Sequence, residues 1–421
     1  MASRKTRQKP VRVGVFGIGR GQNFAAQAAA MDDVELAAVC DRRERALTEF
    51  AARYPQVATY DDYDAMLEHD LDAVVLANYA TEHAPAAVKA LQRGLHVQSE
   101  SIAVKTMGEA VELVRAVEAS GRVYMYAENY AYMSFAQEMA CLYQKGEIGE
   151  FRYGEGEYVH PVSAETKLWL SPTFDHWRNW IPATYYCTHS MSPIMYTTHL
   201  RPVQVSGFVI PWDPQNEACT ETYKRNDLAA IIMVQMENGA YAKLLFGALE
   251  RNYVWYRIYG TKGEMENSRT DPGMLMVHKE PWNKAPGEPA DVMYRPEFRQ
   301  HHEQASRSGH GGGDYFMLRE FVDAIRTGTQ PFFDVYRGLQ MSCLGILAYR
   351  SALNRNVSLD VPSFRDAAEL APYEGDNWTC DPAEAGDGQP LPSVLGEIEK
   401  PRRLRQRVAK WARKLRPDWD L

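Results

Sequence analysis

Three glycines near the N-terminus and an aspartate downstream form a pattern that suits a phosphate-containing ligand. Gly17, Gly19 and Gly21 lie in one short run. Gly17 permits a tight turn, and Gly19 lets the backbone approach a pyrophosphate whose charge is stabilised at a helix N-terminus. Asp41 would accept hydrogen bonds from the hydroxyls of an adenosine ribose and would repel a 2′-phosphate. The pattern therefore predicts binding of NAD in preference to NADP, and NAD supplies hydride transfer.

The predicted elements around this pattern are the ones that a dinucleotide-binding fold requires. A valine-rich strand at Val11–Phe16 precedes the glycines, an alanine-rich helix at 24–31 follows them, and a second strand at Val34–Cys40 ends beside the aspartate. The spacing departs from G-x-G-x-x-G, because Gln22 stands where the third glycine is usual. A turn without a ligand is the alternative, and the two arginines after the aspartate weaken the preference for NAD.

The rest of the N-terminal region alternates between predicted strands and helices. This order predicts a doubly wound parallel sheet, which is a Rossmann domain over residues 11–130. Ligands of such sheets bind beyond the carboxyl ends of the strands. The residues expected to contact the cofactor there, besides the glycines and aspartate above, are Arg20, Asn78, His83 and Glu100.

From residue 151 the pattern changes to an alternation of polar and apolar residues. Predicted strands at 151–160, 203–210, 228–236, 240–249 and 253–259 indicate an open, mainly antiparallel sheet. An aromatic-rich insert at 161–186 is consistent with a substrate loop, and helices at 315–327 and 335–353 are expected to pack back on the first domain. We expect an α+β domain for substrate binding and oligomerisation over residues 131–362.

The two ends of the chain differ from the rest. Residues 1–10 are expected to form a disordered arm, and residues 363–421 a C-terminal extension. In the extension, an acidic linker precedes a basic helix at Arg402–Leu415 that carries an apolar stripe. The stripe favours packing on this subunit or on a neighbouring one, and attachment to a membrane surface is the alternative.

Composition argues against several classes of protein. The net charge is −8 and the C-terminal end is basic, so the remainder is strongly acidic and nucleic acid is not expected as the main partner. The six cysteines show neither paired nor zinc-type spacing, which favours reduced thiols, and no metal site is expected. No apolar run is long enough to span a membrane, and the N-terminus lacks the apolar core of a secretion signal. A cytoplasmic protein is expected.

With both regions in view, the sequence resembles the Gfo/Idh/MocA family, of the glucose–fructose oxidoreductase and inositol dehydrogenase type. The resemblance covers residues 11–362 and rests on GIGRG at 17–21, AENY at 127–130, GEIGE at 146–150 and YGTKGE at 259–264. It implies an NAD-binding domain followed by a substrate domain. Open-faced sheets in this family often pair between chains, so a homo-oligomer is expected.

The chain departs from the dehydrogenases of this family at two of three positions. Those enzymes carry Glu-Lys-Pro after the fifth strand and an Asp four residues before a catalytic His, and these Lys, Asp and His residues handle the proton of the hydroxyl being oxidised. Here the first motif reads Glu100-Ser101-Ile102, and the aspartate position is Tyr185, so only His189 matches. A Glu-Lys-Pro at 399–401 follows no predicted strand and is interpreted as a coincidence.

Other motifs are similar to the NAD-dependent α-N-acetylgalactosaminidase-type glycosidases of the family, which also lack the lysine. The similar segments are Ser99-Glu100, Tyr158-x-His160, Trp177-Arg178, 186–193 and 309–316. The proline that follows Ser-Glu-Val in those enzymes is absent here. Together these motifs indicate a sugar site without fixing the sugar.

The resemblance implies a glycosidase in which NAD stays bound and is recycled. A hydride leaves sugar carbon 3 to give a ketone, a base removes the acidified proton on carbon 2, the group at carbon 1 is eliminated, water adds and the hydride returns. His189 is the candidate for the hydroxyl proton, and Tyr186 and Tyr158 are candidate bases. A tyrosine, with a pKa of about 10, needs a nearby cation to lower it, and Arg178 is the candidate.

The remaining expected substrate contacts each have a structural alternative. Glu128 would hold the sugar or the nicotinamide ribose, or is a structural acid at a strand end. His160 shares a strand face with Tyr158, and His310 faces the site or belongs to a flexible helix entry. Arg178 alternatively bonds only sugar hydroxyls. Three functions stay open: the redox-assisted glycosidase, an ordinary NAD-dependent sugar or cyclitol dehydrogenase, and a non-catalytic NAD-binding protein.

Overall fold

The first sheet has the topology of a Rossmann domain. The computed structural model describes residues 9–416, so most of the expected N-terminal arm lies outside it. The six strands are β1 (Val11–Phe16), β2 (Val34–Cys40), β3 (Ala58–Tyr60), β4 (Ala73–Leu76), β5 (His96–Glu100) and β6 (Tyr124–Ala127). They pair in parallel in the order β3-β2-β1-β4-β5-β6, so the predicted doubly wound sheet is confirmed.

Helices connect the strands of this sheet. They are α1 (Gln22–Ala30), α2 (Glu44–Arg53), α3 (Tyr63–Leu67), α4 (His83–Gln92) and α5 (Met107–Ser120). The sequence supplies the caps that end them. The Thr106 hydroxyl accepts a hydrogen bond from the backbone of Glu109 at 3.1 Å at the start of α5, and Gly121 ends that helix with a φ of +63°.

The second sheet is larger and open. Its strands are β7 (Phe151–Val159), β8 (Pro202–Ile210), β9 (Ala229–Met236), β10 (Tyr241–Gly247), β11 (Tyr253–Gly260), β12 (Glu264–Asn267), β13 (Leu275–His278), β14 (Asp291–Tyr294) and β15 (Leu359–Asp360). Their order is β14-β13-β12-β11-β7-β10-β9-β8-β15. Only β7 and β10 pair in parallel among the described strands of this sheet. The mainly antiparallel sheet that the sequence predicted is therefore confirmed.

The remaining helices belong to the second region and to the C-terminal extension. They are α6 (Ser134–Gln144), α7 (Ala164–Leu170), α8 (Thr188–Thr198), α9 (Glu217–Thr220), α10 (His302–Ser306), α11 (Gly313–Thr327), α12 (Val335–Leu353), α13 (Ala367–Leu370) and α14 (Arg402–Leu415). The insert at 161–186, which is expected to be a substrate loop, contains α7 and short 3₁₀ turns at Trp177–Asn179 and Ala183–Cys187. Within residues 9–416, none of these helices combines the length and the apolar character needed to cross a bilayer.

Helix α8 lies unusually close to β7, and this contact positions the candidate site. A Cβ on Gly156 would lie 1.9 Å from the backbone oxygen of Ser190, so only glycine fits there. From β11, the Tyr256 hydroxyl donates to the backbone oxygen of His189 at 2.7 Å. The first turn of α8 is therefore fixed against the sheet.

Two helices of the second region return to the first sheet, as predicted. Arg319 in α11 donates two hydrogen bonds to the Asp33 carboxylate, at 2.8 and 3.0 Å. In α12, a Cβ on Gly338 would lie 2.5 Å from the Cβ of Tyr126 in β6, so the helix packs directly on that strand. These contacts bring the carboxyl ends of β5 and β6 next to α8.

The C-terminal extension is anchored to the rest of the chain. The backbone oxygen of Asp376 accepts a hydrogen bond from Gly108 in α5 at 2.8 Å. Helix α14 then packs on α7, where Leu168 and Val408 are both 0% exposed and share a small apolar cluster with Tyr223. Val408 is thus buried on its own subunit and Leu404, Trp411 and Leu415 are partly buried beside it, which favours packing on this subunit over attachment to a membrane surface.

Candidate functional site

The glycine turn between β1 and α1 leaves its backbone open at one position. Gly17 has a φ of +87°, and a Cβ there would lie 2.5 Å from the backbone nitrogen of Asn78. A Cβ on Gly21 would lie 2.4 Å from the Gly17 oxygen. At Gly19, by contrast, the single neighbour within 4 Å in the described part of the chain is an Arg43 guanidinium nitrogen at 3.6 Å. The turn is tight where it folds and open where a pyrophosphate would approach.

Asp41 lies at the end of β2, as predicted, but its carboxylate already has protein partners. It accepts a hydrogen bond from the backbone of Ile18 at 2.9 Å. The Arg43 guanidinium donates to both carboxylate oxygens, each at 2.9 Å. The Arg42 guanidinium instead pairs with the Glu82 carboxylate at 3.1 Å. The arginine that pairs with Asp41 offsets its charge, so the predicted exclusion of a 2′-phosphate is weaker than the sequence suggested.

Several buried polar atoms at the carboxyl edge of the first sheet have no hydrogen-bond partner among residues 9–416. They include both side-chain amide atoms of Asn78, Nε2 of His83 and Oδ1 of Asn129. His83 is held in place because its Nδ1 donates to the backbone oxygen of Ile102 at 2.7 Å. Buried polar groups of this kind are normally satisfied by a partner or a ligand. Together with the open backbone at Gly19, they fit a dinucleotide in this crevice.

Arg20, which is predicted to contact the cofactor, has three hydrogen bonds to protein carboxylates. Its guanidinium donates to both oxygens of Asp314 at the start of α11, at 2.6 and 2.9 Å, and to Glu100 at 2.8 Å. His310 donates from Nδ1 to the same aspartate at 3.0 Å. The side chains of Arg20 and Glu100 thus bind each other, and no contact with a cofactor is needed to explain their placement. The His310 ring belongs to this ionic network beside the glycine turn.

The ionic network predicts a pH-dependent contribution to stability. Burial alone would raise the pKa of Asp314, but the hydrogen bonds and charges of His310 and Arg20 outweigh burial and hold the pKa well below its ordinary value of 3.8. A carboxyl group with a lowered pKa in the fold stabilises it above the unfolded pKa, and this contribution is lost as the pH falls through the folded value. We expect Asp314→Asn to lower the free energy of unfolding at neutral pH by about 3 kcal/mol. The difference should shrink below pH 3.8 in urea titrations at a series of pH values.

The matched control for this prediction is Asp323→Asn. Asp323 pairs with Arg319 one helical turn away in α11, and its side chain is 57% exposed. An exposed pair of this kind contributes less than about 1 kcal/mol. A difference between wild type and Asp314→Asn that stays constant across the acidic range would show that the carboxylate charge is not what stabilises this contact.

At the junction of the two sheets, a glutamate and a histidine form a buried pair. Nδ1 of His189 lies 2.8 and 3.0 Å from the two oxygens of Glu128, which is fully buried just after β6. The Ser101 hydroxyl donates to the same carboxylate at 3.2 Å. Burial alone would raise the pKa of Glu128, but the charge and hydrogen bond of His189 outweigh it and lower that pKa. Since Nδ1 is engaged, Nε2 of His189 is the ring nitrogen left for a ligand.

Aromatic side chains surround the histidine of this pair. The ring centres of Tyr158, Tyr130 and Tyr186 lie 4.8, 4.9 and 5.2 Å from that of His189. Phe246 stacks against Tyr158 at 5.6 Å and against Tyr186 at 5.4 Å. The three residues predicted to be catalytic, His189, Tyr186 and Tyr158, are therefore neighbours, and Glu128 joins them. Flat hydrophobic faces next to a polar pair suit the ring of a sugar.

The electrostatic expectation for Tyr158 is wrong. Burial raises the pKa of the Tyr158 hydroxyl to about 12, and Arg178 offsets this only in part. Arg178 lies instead by the other tyrosine, with its guanidinium carbon 4.3 Å from the Trp177 ring centre and 5.7 Å from that of Tyr186. A sequence pattern identifies the cation but cannot measure the desolvation that opposes it.

His160 lies at the edge of the cluster. It follows β7, its side chain is exposed, and its ring centre is 5.7 Å from that of Tyr158. Nδ1 of His160 contacts the Asn252 side-chain oxygen at 3.1 Å. The structure thus brings His160 near the tyrosines, as predicted. His310 contacts the Asp314 carboxylate, and its contact with the substrate stays a prediction.

Sequence reasoning missed four residues of the site: Tyr130, Phe246, Ser101 and Asp314. Tyr130 lies in the AENY motif and Ser101 in the motif after β5, so the family resemblance already indicated their positions. Phe246 gave none, because it is one of many apolar residues in a predicted strand. Asp314 lies in a segment similar to the glycosidases, yet its partner Arg20 is 294 residues away.

Two family descriptions match the chain. Residues 11–128 match an oxidoreductase family with an NAD-binding Rossmann fold, Gfo/Idh/MocA. Residues 207–369 match the C-terminal domain of glycosyl hydrolase 109. The fold, the crevice above the glycine turn and these matches define the class of the protein as an NAD-dependent carbohydrate enzyme.

Individual relatives agree with this class. The α-N-acetylgalactosaminidase of Shewanella oneidensis is 24% identical, over 85% of this chain and 86% of that protein. A glycosyl hydrolase family 109 protein of Shewanella pealeana is 25% identical, over the same shares of the two chains. Levoglucosan dehydrogenase in complex with NADH has the same fold, with a TM-score of 0.73 at 20% identity over 84% of this chain and all of that one. An oxidoreductase from Agrobacterium radiobacter in complex with NAD+ gives a TM-score of 0.69 at 16% identity, over 84% of this chain and 99% of that one. The N-terminal region thus matches the Gfo/Idh/MocA oxidoreductases, and the second region matches a C-terminal domain of the glycosyl hydrolase 109 type.

Proposed function

We propose that the protein is a redox-assisted glycosidase that keeps its NAD. The observation that carries this proposal is the Glu128–His189 pair, which is flanked by tyrosines and by the Ser101 hydroxyl where the dehydrogenases of the family have a lysine. The pair can move one proton, and the tyrosines offer a separate base for a second proton. A simple alcohol oxidation needs only the first of these.

The residues that would hold NAD are those of the open crevice. The backbone at Gly19 faces the pyrophosphate, Asp41 lies at the ribose end, and the unsatisfied amides of Asn78 and Asn129 suit the polar groups of the nicotinamide half. When bound, NAD accepts a hydride from a sugar carbon and returns it at the end of the cycle.

The Glu128–His189 pair acts on the hydroxyl at sugar carbon 3. Nε2 of His189 accepts the hydroxyl proton as that carbon is oxidised, and the buried carboxylate of Glu128 stabilises the imidazolium that forms. The proton returns to the oxygen when the ketone is reduced again. Ser101 holds the carboxylate in place from the β5 side.

A tyrosine removes the proton from carbon 2. Tyr186 is the better-placed base, because the Arg178 guanidinium lies 5.7 Å from its ring centre, whereas burial raises the pKa of the Tyr158 hydroxyl to about 12. The electron pair left on carbon 2 expels the group at carbon 1 as an alcohol, which takes up a proton. Water then adds at carbon 1 and a proton returns to carbon 2, so the net reaction is hydrolysis.

An ordinary NAD-dependent sugar or cyclitol dehydrogenase is the second candidate. It is favoured by the same histidine–carboxylate pair, because Glu128 gives His189 the partner that an Asp at position 185 gives the dehydrogenases of the family. In that reaction the tyrosines only contact the sugar. Such an enzyme consumes one added NAD in every turnover.

The amount of NAD required separates the two candidates. We expect an α-N-acetylgalactosaminide or a related aryl glycoside to be hydrolysed many times by enzyme with only its bound NAD, because the hydride returns to the same sugar. The measurement follows the released aglycone and the absorbance of NADH in one sample. Steady release of NADH in proportion to product would support the dehydrogenase instead.

Homo-oligomerisation and a cytoplasmic location stay predictions.

A further inference from the structure

The segment that carries Arg178 has hydrogen bonds within itself and is also held from outside, through two of its backbone oxygens. Residues 171–181, here called the Arg178 segment, contain little regular structure beyond the short turn at Trp177–Asn179. Nζ of Lys167 donates to the backbone oxygen of Arg178 at 2.7 Å. The side chain of Asn226 donates to the backbone oxygen of Ile181 at 2.5 Å. The position of the Arg178 side chain therefore depends on α7 and on the chain before β9.

Lys167 is an unusual residue for this task. It is 8% exposed, and among residues 9–416 no carboxylate is within ion-pair distance of its amine. Burial lowers its pKa well below the ordinary value, and the cations of Lys224 and Arg178 lower it further. Burial of an amine without an acidic partner costs free energy. The hydrogen bond to the Arg178 carbonyl offsets part of that cost and gives Lys167 its structural role.

The C-terminal extension covers both supports of the Arg178 segment. Residues 393–416, here called the C-terminal clamp, lie beyond the region that matches the glycosyl hydrolase 109 domain. Val408 in α14 packs with Leu168, which is the neighbour of Lys167 in α7. Ser393 donates to the carboxylate of Asp227 at 2.5 Å, next to Asn226.

Further contacts fix the clamp along its length. The hydroxyl of Tyr223 donates to the backbone oxygen of Arg405 at 3.3 Å. Nζ of Lys400 donates to the backbone oxygen of Cys219 in α9. Arg416, after the end of α14, donates to the backbone oxygen of Trp169 in α7 at 2.9 Å. The clamp thus contacts α9 through Lys400, before α14, and α7 through Arg416, after α14.

We propose that the C-terminal clamp is a positioning element of the sugar site, which acts through Lys167 on the backbone of Arg178. This inference rests on the proposed function, because it assigns Arg178 to the sugar and to Tyr186. Undocking of α14 frees α7, the support from Lys167 is lost, and the guanidinium moves away from the tyrosine ring. The segment also reaches the first domain, where the His176 ring lies 4.8 Å from that of Tyr79, the neighbour of Asn78.

The first test is Val408→Asp in the full-length chain, with Lys410→Ala on the exposed face of the same helix as the control. We expect hydrogen exchange at the amides of residues 177–181 to speed up by roughly tenfold or more. The KM for the glycoside should rise by roughly tenfold, while Lys410→Ala leaves both the exchange and the KM at their wild-type values. Unchanged exchange at 177–181 in a folded Val408→Asp variant would overturn the inference.

The second test removes the amine and keeps the clamp. Lys167→Met retains the apolar stem, and we expect the same faster exchange, a higher KM and a lower kcat, because Arg178 then leaves both the sugar and Tyr186. Since the amine acts through Arg178, Lys167→Met should change the KM of an Arg178→Ala variant by less than about twofold. Fully additive effects would contradict the inference, and this variant also decides the question if Val408→Asp does not fold.

The exchange measurement separates failure of the inference from failure of the proposed function. If the wild-type protein hydrolyses no glycoside, the proposed function is wrong. Faster exchange at 177–181 in Val408→Asp and Lys167→Met would then still support the positioning role of the clamp.

Discussion

Replacement of His189 by glutamine is expected to lower kcat by about 10²- to 10⁴-fold, the usual contribution of one general acid–base group. Nε2 of His189 is the atom proposed to receive the hydroxyl proton, and glutamine cannot be protonated in this role. The loss should appear at every pH where the wild type is active. Steady-state kinetics with a saturating glycoside measure it, with NAD binding determined separately on the same preparation.

The substitution also affects the fold, because Glu128 loses its partner. The carboxylate is fully buried, and an unpaired buried charge costs several kcal/mol. His278→Gln is the matched control, since that histidine also pairs with a carboxylate, Asp291, at 2.7 Å, but on the distant strand β13. Turnover near the wild-type value in a folded His189→Gln protein would contradict the assigned role.

Gly19→Ala is expected to fold like the wild type and to bind NAD at least about tenfold more weakly. A Cβ at this position meets only the Arg43 guanidinium, at 3.6 Å, so the free protein has room for it. The same methyl group stands where the backbone must approach the pyrophosphate. Calorimetric titration with NAD and thermal unfolding without it measure the two parts of the prediction.

Gly17→Ala provides the contrast within the same turn. Its Cβ would lie 2.5 Å from the Asn78 backbone nitrogen, and the φ of +87° is strained for alanine, so both stability and NAD binding should fall. Gly386→Ala has open space around it and serves as the control. If Gly19→Ala binds NAD as tightly as the wild type does, the crevice above this turn is not the cofactor site.

The first domain was predictable because its signals are local. Strand β1, the glycine turn and strand β2 follow each other within a short stretch, and each residue type serves the element in which it lies. Helices α12 and α14 were predicted with their observed bounds for the same reason, since both have a clear apolar pattern and evident ends. The mainly antiparallel character of the second sheet followed from the alternation of residues along its strands.

The contacts that define the site join residues far apart in the chain. Glu128 and His189 are separated by 61 residues, and Arg20 and Asp314 by 294. The parallel pairing of β7 with β10 also needs the whole sheet to be in place. The raised pKa of Tyr158 follows from burial by these distant elements. Sequence patterns identify such residues one by one but contain no information on their final separation.

The central claim is that the sugar passes through a ketone at carbon 3 while the proton on carbon 2 is removed and replaced. The most direct measurement is hydrolysis of a glycoside in deuterated water by enzyme with its own NAD, followed by NMR of the released sugar. The account predicts deuterium at carbon 2 and protium at carbon 3 in every product molecule, since the hydride returns to the carbon that lost it. A hydrolysed sugar that retains protium at carbon 2 would contradict the account.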